Sequence, residues 1–184
     1  MRCAPRPGLA GLRAAAAAHL SAAGQQQVAT ALDMLAATEA RMGPLRHQLR
    51  QAAAHLMGAK VLAERLYGVG PVTGLALTCW LAGAGRFSSS RKAVRFTGLD
   101  ITVHSSDRKG PPGRLSRQGP PVLRWAVYEA GKTHARAAAP DHGYYAAVKD
   151  RSNGKRAALS EARKIVRQAC HILAELGDDA LTAA

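Results

Sequence analysis

Residues 98–130 read GLDITVHSSDRKGPPGRLSRQGPPVLRWAVYEA, and this stretch decides how the rest of the chain is interpreted. Its β-branched run, Ile101 to Val103, predicts a short extended segment. The loop that follows is too rich in glycine and proline to form a helix. Pro121 suits the first turn of a helix that begins at the end of that loop. The stretch therefore predicts one irregular, basic loop between an extended segment and a helix.

Two adjacent serines, Ser105 and Ser106, follow the extended segment and are flanked by His104 and Asp107. Arginine and lysine side chains in such a loop can bind phosphate oxygens and stabilise the charge that develops in a transition state. The pattern is consistent with a hydroxyl nucleophile that attacks a phosphodiester. The alternative is a solvated basic loop in which the serines make only turn hydrogen bonds.

The positive charge of the chain is concentrated around this loop. The 184 residues have a formal net charge of +14, which favours a polyanionic partner, nucleic acid before membrane. Nine lysines and arginines but only two acids lie between residues 86 and 124, a net charge of +7. This clustering predicts a nucleic-acid-binding face. Its candidate phosphate-binding residues are Arg86, Arg91, Lys92, Arg95, Arg108, Lys109, Arg114, Arg117 and Arg124.

A second candidate element for phosphate binding lies upstream, in the segment LYGVGPVTGLAL of residues 66–77. Gly68 and Gly70 punctuate a tight turn between two apolar helical patterns, which is the signature of a helix-hairpin-helix. Glycines let the backbone approach a phosphate closely, and the amides at the start of the second helix face it. The alternative is a simple corner between two helices.

Residues 25 to about 67 have a helical pattern. Apolar side chains recur every seven residues at Val28, Leu35, Met42, Leu49 and Leu56. The companion seam of a coiled coil is poor, and Gly43–Pro44 is expected to kink or break the helix. The segment therefore predicts a helical hairpin or a weak coiled-coil arm. Its stripe packs either on the core of the chain or against another subunit.

The C-terminal part is also predicted to be helical. One helix begins near Val122, and the last helix runs to about Leu176 and ends at Gly177. The core-facing stripe of the last helix is predicted at Leu159, Ala162, Ile165, Val166, Ala169 and Ile172. His134, His142 and His171 are interpreted as structural, capping or surface groups.

Metal, cofactor and export signals are not expected from the residues themselves. The three cysteines are far apart, and no cysteine–histidine ligand spacing exists, so we expect no zinc site and a reducing, cytoplasmic location. The twelve acids are scattered rather than paired, so no two-metal site is predicted. The alanine run near the start is too weakly apolar for a signal peptide, and no membrane association is expected.

The quoted stretch, read as GLD-TVHSSD-K-PG-LSRQGPPVLRWA, resembles the core of the C-terminal transposase domain in bacterial insertion-sequence transposases of the "one-ten" family. The resemblance continues upstream in residues 67–71 (YGVGP) and 86–91 (RFSSSR). It continues downstream in Pro140–His142, in Tyr144–Tyr145 and in residues 154–157 (GKRA). It covers roughly residues 25 to 178, with the blocks in the order that the family has.

The resemblance implies a role for the serine block. In that family the serine just after the extended segment is the nucleophile of strand exchange, and it falls here on Ser106. Many members have glycine after that serine where this chain has Asp107, and the neighbouring Ser105 leaves the register open. The resemblance also implies a helical arm that assembles subunits into a homo-oligomer, DNA as substrate and a bridge RNA as guide.

Full members of that family carry an N-terminal nuclease-like domain with an acidic metal-binding tetrad. The present chain resembles the C-terminal half, so we expect Mg²⁺ only in that other domain and no cofactor within this chain. The chain is accordingly expected to be inactive, or nearly so, without the nuclease-like half.

Together these observations predict a mainly α fold, in which a helical arm is followed by a compact helical transposase domain with a helix-hairpin-helix and one irregular catalytic loop. The predicted parts are an extension at 1–24, the arm at 25–65, the transposase domain at 66–178 with the helix-hairpin-helix at 66–80, and a tail at 179–184. The predicted function is DNA transposition or recombination, with DNA binding and strand transfer through Ser106. The alternative is a non-catalytic nucleic-acid-binding remnant of a transposase.

Overall fold

The computed structural model describes residues 8–83, 86–101 and 115–184. Over these ranges the chain forms eight α-helices and no β-strand, which confirms the predicted mainly α fold. The helices are α1 (Leu9–His19), α2 (Ala22–Ala54), α3 (Met57–Arg65), α4 (Pro71–Leu81), α5 (Ser90–Phe96), α6 (Pro121–Lys132), α7 (His142–Arg151) and α8 (Gly154–Leu176). None of the helices within the described ranges combines the length and the apolar character needed to cross a membrane.

The chain divides into two compact units, residues 1–48 and 49–184. In the first unit, the Gln25 side chain donates a hydrogen bond to the Leu20 carbonyl (3.0 Å) at the turn between α1 and α2. Arg13 forms an ion pair with Asp33, and Leu32 is buried. The predicted domain boundaries after residues 24, 65 and 178 stay a prediction.

The long helix α2 continues through Gly43 and Pro44, so a break at this pair is wrong, while the predicted alternative of a kink stays a prediction. A proline inside a helix removes one backbone hydrogen bond and crowds the carbonyl oxygen four residues earlier, here that of Ala40. Residues with good helix propensity on both sides, mainly alanine, leucine, arginine and glutamine, offset this local loss. The helix ends instead at Ala54, so up to that point the arm is one helix and not a hairpin.

The seven-residue stripe on α2 and just beyond it is largely open to solvent. Leu35 is 52% exposed, Met42 is 38% exposed and Leu49 is 44% exposed. Val28 and Leu56 are half-buried. The three exposed side chains are therefore not part of the core that the described residues form.

The core of the second unit is organised around α8, which packs against α5, α6 and α7. The predicted stripe is confirmed at its four central positions, and Leu159 and Ile172 are half-buried at its ends. The buried apolar residues of α8 are Ala157, Ala158, Ala162, Ile165, Val166, Ala169 and Leu173. Gly131 of α6 lies against the Ala158 carbonyl with no room for a Cβ, so α6 and α8 are closely packed. Gly177, with φ at 57°, ends α8 at the predicted residue.

Two helices flank the turn at Gly68–Gly70, as the sequence predicts. They approach closely because a Cβ on Gly74 of α4 would lie 2.5 Å from the Ala59 carbonyl oxygen of α3. Gly68 has φ at 79°, a left-handed conformation that glycine adopts without steric cost. A Cβ there would overlap Thr133 at the end of α6, so the turn packs on the core.

Candidate nucleic-acid interface

An open groove of about 910 Å³ lies in the second unit between the start of α6, the end of α7 and the first half of α8. We call it the cationic groove. Its described basic lining residues are Arg117, Arg124, Arg151, Lys155, Arg156 and Arg163. The remaining described lining residues are Leu99, Ile101, Leu115, Pro121, Trp125, Tyr128, Val148, Ser152, Leu159 and Ser160. None of the described lining residues is acidic.

Two of the groove's guanidinium groups are held in place by backbone carbonyls. Arg163 Nε donates a hydrogen bond to the Leu99 carbonyl (2.8 Å), and Arg124 Nη1 donates one to the Gly119 carbonyl (3.1 Å). Burial lowers the pKa of Arg163, and the negative charge of Asp100 opposes that effect. Each guanidinium has five N–H donors, so both arginines keep donors for a phosphate after these bonds.

An aromatic side chain stands beside these cations with its ring open to solvent. Trp125 is 64% exposed although it lies in the middle of α6. The core-facing positions of that helix are occupied by Leu123, Val127 and Ala130, so Trp125 points away from the core. An exposed indole beside phosphate-binding cations is a surface on which a nucleic-acid base can stack.

The segment that carries the serine pair begins and ends at the cationic groove. Ile101 and Leu115, the described residues on either side of it, form an antiparallel bridge, and both line the groove. The Ser116 amide donates a hydrogen bond to the Asp100 carbonyl (2.9 Å), which extends this pairing. Ser106 lies outside the described residues. It follows Ile101 by five positions in the sequence.

Two glycines bring the backbones on either side of the serine segment into direct contact. A Cβ on Gly119 would overlap the Phe96 carbonyl oxygen and lie 2.7 Å from the Gly98 amide nitrogen. A Cβ on Gly98 would lie 2.8 Å from the Gly119 nitrogen. Between these glycines the Arg117 amide donates to the Gly98 carbonyl (3.2 Å), and Arg117 has φ at 53°. The start of α6 is therefore fixed against the end of α5, and this contact sets one rim of the groove.

Asp100 links this rim to α5. Its Oδ1 accepts a hydrogen bond from the Ile101 amide (2.9 Å), and its Oδ2 pairs with Arg95 Nε at 3.2 Å. Burial acts to raise the pKa of Asp100, but the Ile101 amide and Arg95 outweigh it, so the pKa is lowered. The carboxylate is thus ionised and reduces the charge that Arg95 can offer a phosphate.

The other predicted phosphate-binding residues of the second unit are placed differently. Arg91 and Lys92 are exposed on α5, outside the described lining of the groove. The Arg86 guanidinium lies 4.7 Å from the centroids of both the Phe87 and Phe96 rings and donates to the Trp80 carbonyl (2.9 Å). Arg86 therefore packs on aromatic rings, which occupies part of its donor surface.

Some predicted residues are not tested by this geometry. Arg108, Lys109 and Arg114 lie outside the described residues, together with Ser106. Gly70 occupies the N-cap position of α4, and the space around its Cα is open, as a close backbone approach would require. Gly68 faces the end of α6 rather than open space.

The sequence interpretation did not assign Arg151, Lys155, Arg156 and Arg163 to the interface. They come from the end of α7 and from α8, far in sequence from the basic window at 86–124. A signal existed in the sequence, because Lys155, Leu159 and Arg163 follow one another at four-residue spacing and therefore share one face of a helix. The groove brings that face opposite Arg117 and Arg124 of the predicted set.

A known family resembles the middle of the chain. The family model described as Transposase IS116/IS110/IS902 family matches residues 60–146, from within α3 to within α7. The match includes the serine pair and the groove-lining residues from Leu99 to Tyr128, whereas the lining residues from Val148 onward lie beyond it. No curated protein matches the chain.

Proposed function

We propose, from the match of residues 60–146 to the IS116/IS110/IS902 transposase family, that the cationic groove binds the DNA backbone next to Ser106. The family gives the general role, DNA transposition or recombination. The cationic groove is the surface that holds the DNA, and a serine side chain attacks it. Ser106 acts as the nucleophile, and the groove's cations bind the phosphates on either side of the reacting one.

The observation that carries the proposal is the convergence of six cations from three segments on one groove. Arg117 and Arg124 come from the loop before α6 and its first turn, Arg151 from the end of α7, and the other three from α8. These cations repel one another, because none of the described lining residues is acidic. A bound polyanion would reduce this repulsion. The chain enters and leaves the serine segment at the same groove, which supports a phosphodiester held there within reach of that segment.

In the proposed step, the Ser106 hydroxyl loses its proton, its Oγ bonds to a DNA phosphorus, and one P–O bond to a DNA oxygen breaks. The released DNA oxygen takes up a proton, and the DNA is left joined to the protein as a phosphoserine. Attack by the hydroxyl of a second strand reverses the exchange and joins the strands. Serine is a weak nucleophile at neutral pH, so His104 or Asp107 would serve as base while the cations stabilise the pentavalent transition state.

The proposal includes a requirement for a second component. Phosphoryl transfer by metal ions needs several converging carboxylates, which the resemblance assigns to a nuclease-like domain with an acidic tetrad. We infer that this chain binds DNA alone but transfers strands only together with such a domain, its Mg²⁺ and a guide RNA. The alternative is a nucleic-acid-binding remnant. It would use the same groove but form no covalent adduct with DNA, even when the nuclease-like domain, Mg²⁺ and guide RNA are supplied.

Binding itself is tested by its dependence on salt. Each phosphate contact releases counterions, so the affinity for duplex DNA should fall steeply between about 50 and 200 mM salt. Replacing Lys155 and Arg156 with alanine should remove about two contacts and lower the slope of log K against log salt by about 1.8. Fluorescence anisotropy with labelled duplexes of several sequences measures both the slope and the expected lack of sequence preference.

A matched control removes the same charge elsewhere in the second unit. Lys149 and Arg136 are exposed and do not belong to the described groove lining. Their double alanine variant should keep the slope of the native chain. An equal loss of slope in both double variants would show that the positive charge acts as a whole and that the groove is not the binding site.

We also propose that the arm joins subunits through its seven-residue stripe. The specific observation is the exposure of Leu35, Met42 and Leu49 along one helix. A stripe of large apolar side chains at heptad spacing is stabilised when a second helix covers it. A transposase that must hold two DNA partners together would gain a second groove from such assembly.

The double variant Leu35→Asp, Leu49→Asp tests this assembly. Because both positions are exposed in the single chain, the variant should stay folded and become a monomer, with an unchanged helix signal in circular dichroism. Sedimentation velocity gives the mass. The control is Glu39→Asp, which keeps the charge on the same helix and should leave assembly intact. A folded variant with the mass of the native assembly would refute the proposed interface, and an unfolded one would show that the stripe is part of the core.

A further inference from the structure

A buried cluster of potential metal ligands lies in the second unit, where α6, α7 and α8 meet. His134 belongs to the 3-10 turn Thr133–Ala135 after α6, Asp141 precedes α7, and Glu161 lies on α8. One ligand atom from each of the three residues falls within 4.8 Å of the other two. The three residues are spread over nearly thirty positions, so no short ligand-spacing motif in the sequence indicates them.

The buried polar atoms of His134 and Glu161 lack hydrogen-bond partners among the described residues. Glu161 is 0% exposed and His134 is 3% exposed. Among the described residues, neither ring nitrogen of His134 and neither carboxylate oxygen of Glu161 has a hydrogen-bond partner. Asp141 stands at the N-cap position of α7, but its side chain makes no capping hydrogen bond. Buried polar groups without partners are costly, so the fold contains an unsatisfied site rather than a completed polar network.

The distances fit a bound ion better than a direct bond. His134 Nδ1 and Glu161 Oε2 are 3.6 Å apart, which is longer than a hydrogen bond. Two ligand atoms that are each about 2.1 Å from a tetrahedral zinc ion are about 3.4 Å apart. The Asp141 ligand atom lies within 4.8 Å of the other two, so it closes the set after a movement of at most about 1.4 Å. Lys164 Nζ, 2.8 Å from Asp141 Oδ2, can keep its bond as an outer partner.

We propose that His134, Asp141 and Glu161 form a binding site for one divalent transition-metal ion of the zinc class. An imidazole with two carboxylates is a ligand set for such ions, and three protein ligands leave one position for water. The Tyr67 ring stands edge-on to the His134 ring at 5.2 Å between centroids and walls the site on the side of the α3–α4 turn. The ion would tie the turn after α6 and the start of α7 to Glu161 of α8, so its role in this chain is structural.

The test uses the full chain freed of metal by a chelator, with Cys3 and Cys79 replaced by serine to prevent zinc binding by thiols. Calorimetric titration should show one Zn²⁺ bound per chain, and saturation should raise the melting temperature by roughly 5 °C. Co²⁺ in place of Zn²⁺ should give the strong visible bands of a tetrahedral site, without a thiolate charge-transfer band. These readouts do not depend on any activity of the protein.

Variants decide whether the binding belongs to this cluster. Glu161→Gln should abolish binding, and Asp141→Asn, at a half-buried position that tolerates the change, should weaken it by more than about 100-fold. His171→Gln, at an exposed position on the same helix as Glu161, is the matched control and should bind as the native chain does. The proposal is overturned if the native chain binds neither ion at millimolar concentration, or if Asp141→Asn binds zinc with undiminished affinity.

Discussion

The variant Ser106→Ala should form no covalent adduct with DNA, while its affinity for DNA stays that of the native chain. In a well-studied serine protease, removal of the nucleophile lowers turnover by about 10⁶-fold, so no product should be detectable here. Binding should be unaffected because the hydroxyl contributes no charge to the phosphate contacts. The assay supplies the chain with an acidic nuclease-like domain, Mg²⁺, a guide RNA and labelled DNA, followed by denaturing electrophoresis.

The neighbouring serine provides the control. Ser105→Ala should lower the adduct yield without abolishing it, and mass spectrometry of the native adduct should locate the DNA on Ser106. An adduct on Ser105 would shift the register by one residue. An adduct that survives the loss of both serines would refute the serine mechanism. A native chain that binds DNA but forms no adduct with all components present would favour the non-catalytic remnant.

The second large effect is expected from Gly119→Ala. The added methyl group would overlap the backbone at Phe96 and Thr97, and that backbone cannot move without separating the end of α5 from the start of α6. We expect a loss of about 3 kcal/mol in the free energy of unfolding, the upper range for overpacking. For a chain of this length, that loss corresponds to a fall of roughly 10 °C in the melting temperature. Thermal and urea unfolding followed by circular dichroism measure the change.

Gly143→Ala is the matched control for this variant. Gly143 lies within α7, and nothing stands within 4 Å of the Cβ that alanine would add. Alanine favours a helix over glycine by up to about 1 kcal/mol, so this variant should be as stable as the native chain or slightly more stable. Equal stability of the two variants would show that the contact between Gly98 and Gly119 is not close-packed in solution.

The parts of the fold that follow from local pattern were predictable. The stripe of α8 and its end at Gly177 follow from helical periodicity and from a glycine at the C-terminus. The helices around Gly68–Gly70 follow from two apolar patterns with a glycine turn between them. The break predicted at Gly43–Pro44 is wrong because helix-favouring residues on both sides of the proline offset the free energy that it costs the helix.

The parts that depend on tertiary contact were not predictable. Nothing near Gly98 or Gly119 in the sequence indicates that their backbones touch, because the need for glycine there comes from lack of room. Arg117 and Arg124 belong to the basic segment around the serine pair and could be predicted from the sequence. Arg151 and Lys155 could not, because they join the groove only when α7 and α8 pack beside α6. The cluster around Glu161 could not be predicted either. The residues next to Glu161 in the sequence do not indicate that a histidine and an aspartate pack beside it in the fold.

The left-handed backbone of Arg117 has a consequence for how this groove can change. A side chain with a Cβ is disfavoured in that conformation by about 1–2 kcal/mol, whereas glycine is not. At position 117, glycine would favour folding stability, whereas arginine favours affinity for a polyanion. A glycine at 117 would give a sturdier chain with a less charged rim. Selection for stability alone would therefore favour replacement of Arg117 by glycine, which removes one positive charge from the groove.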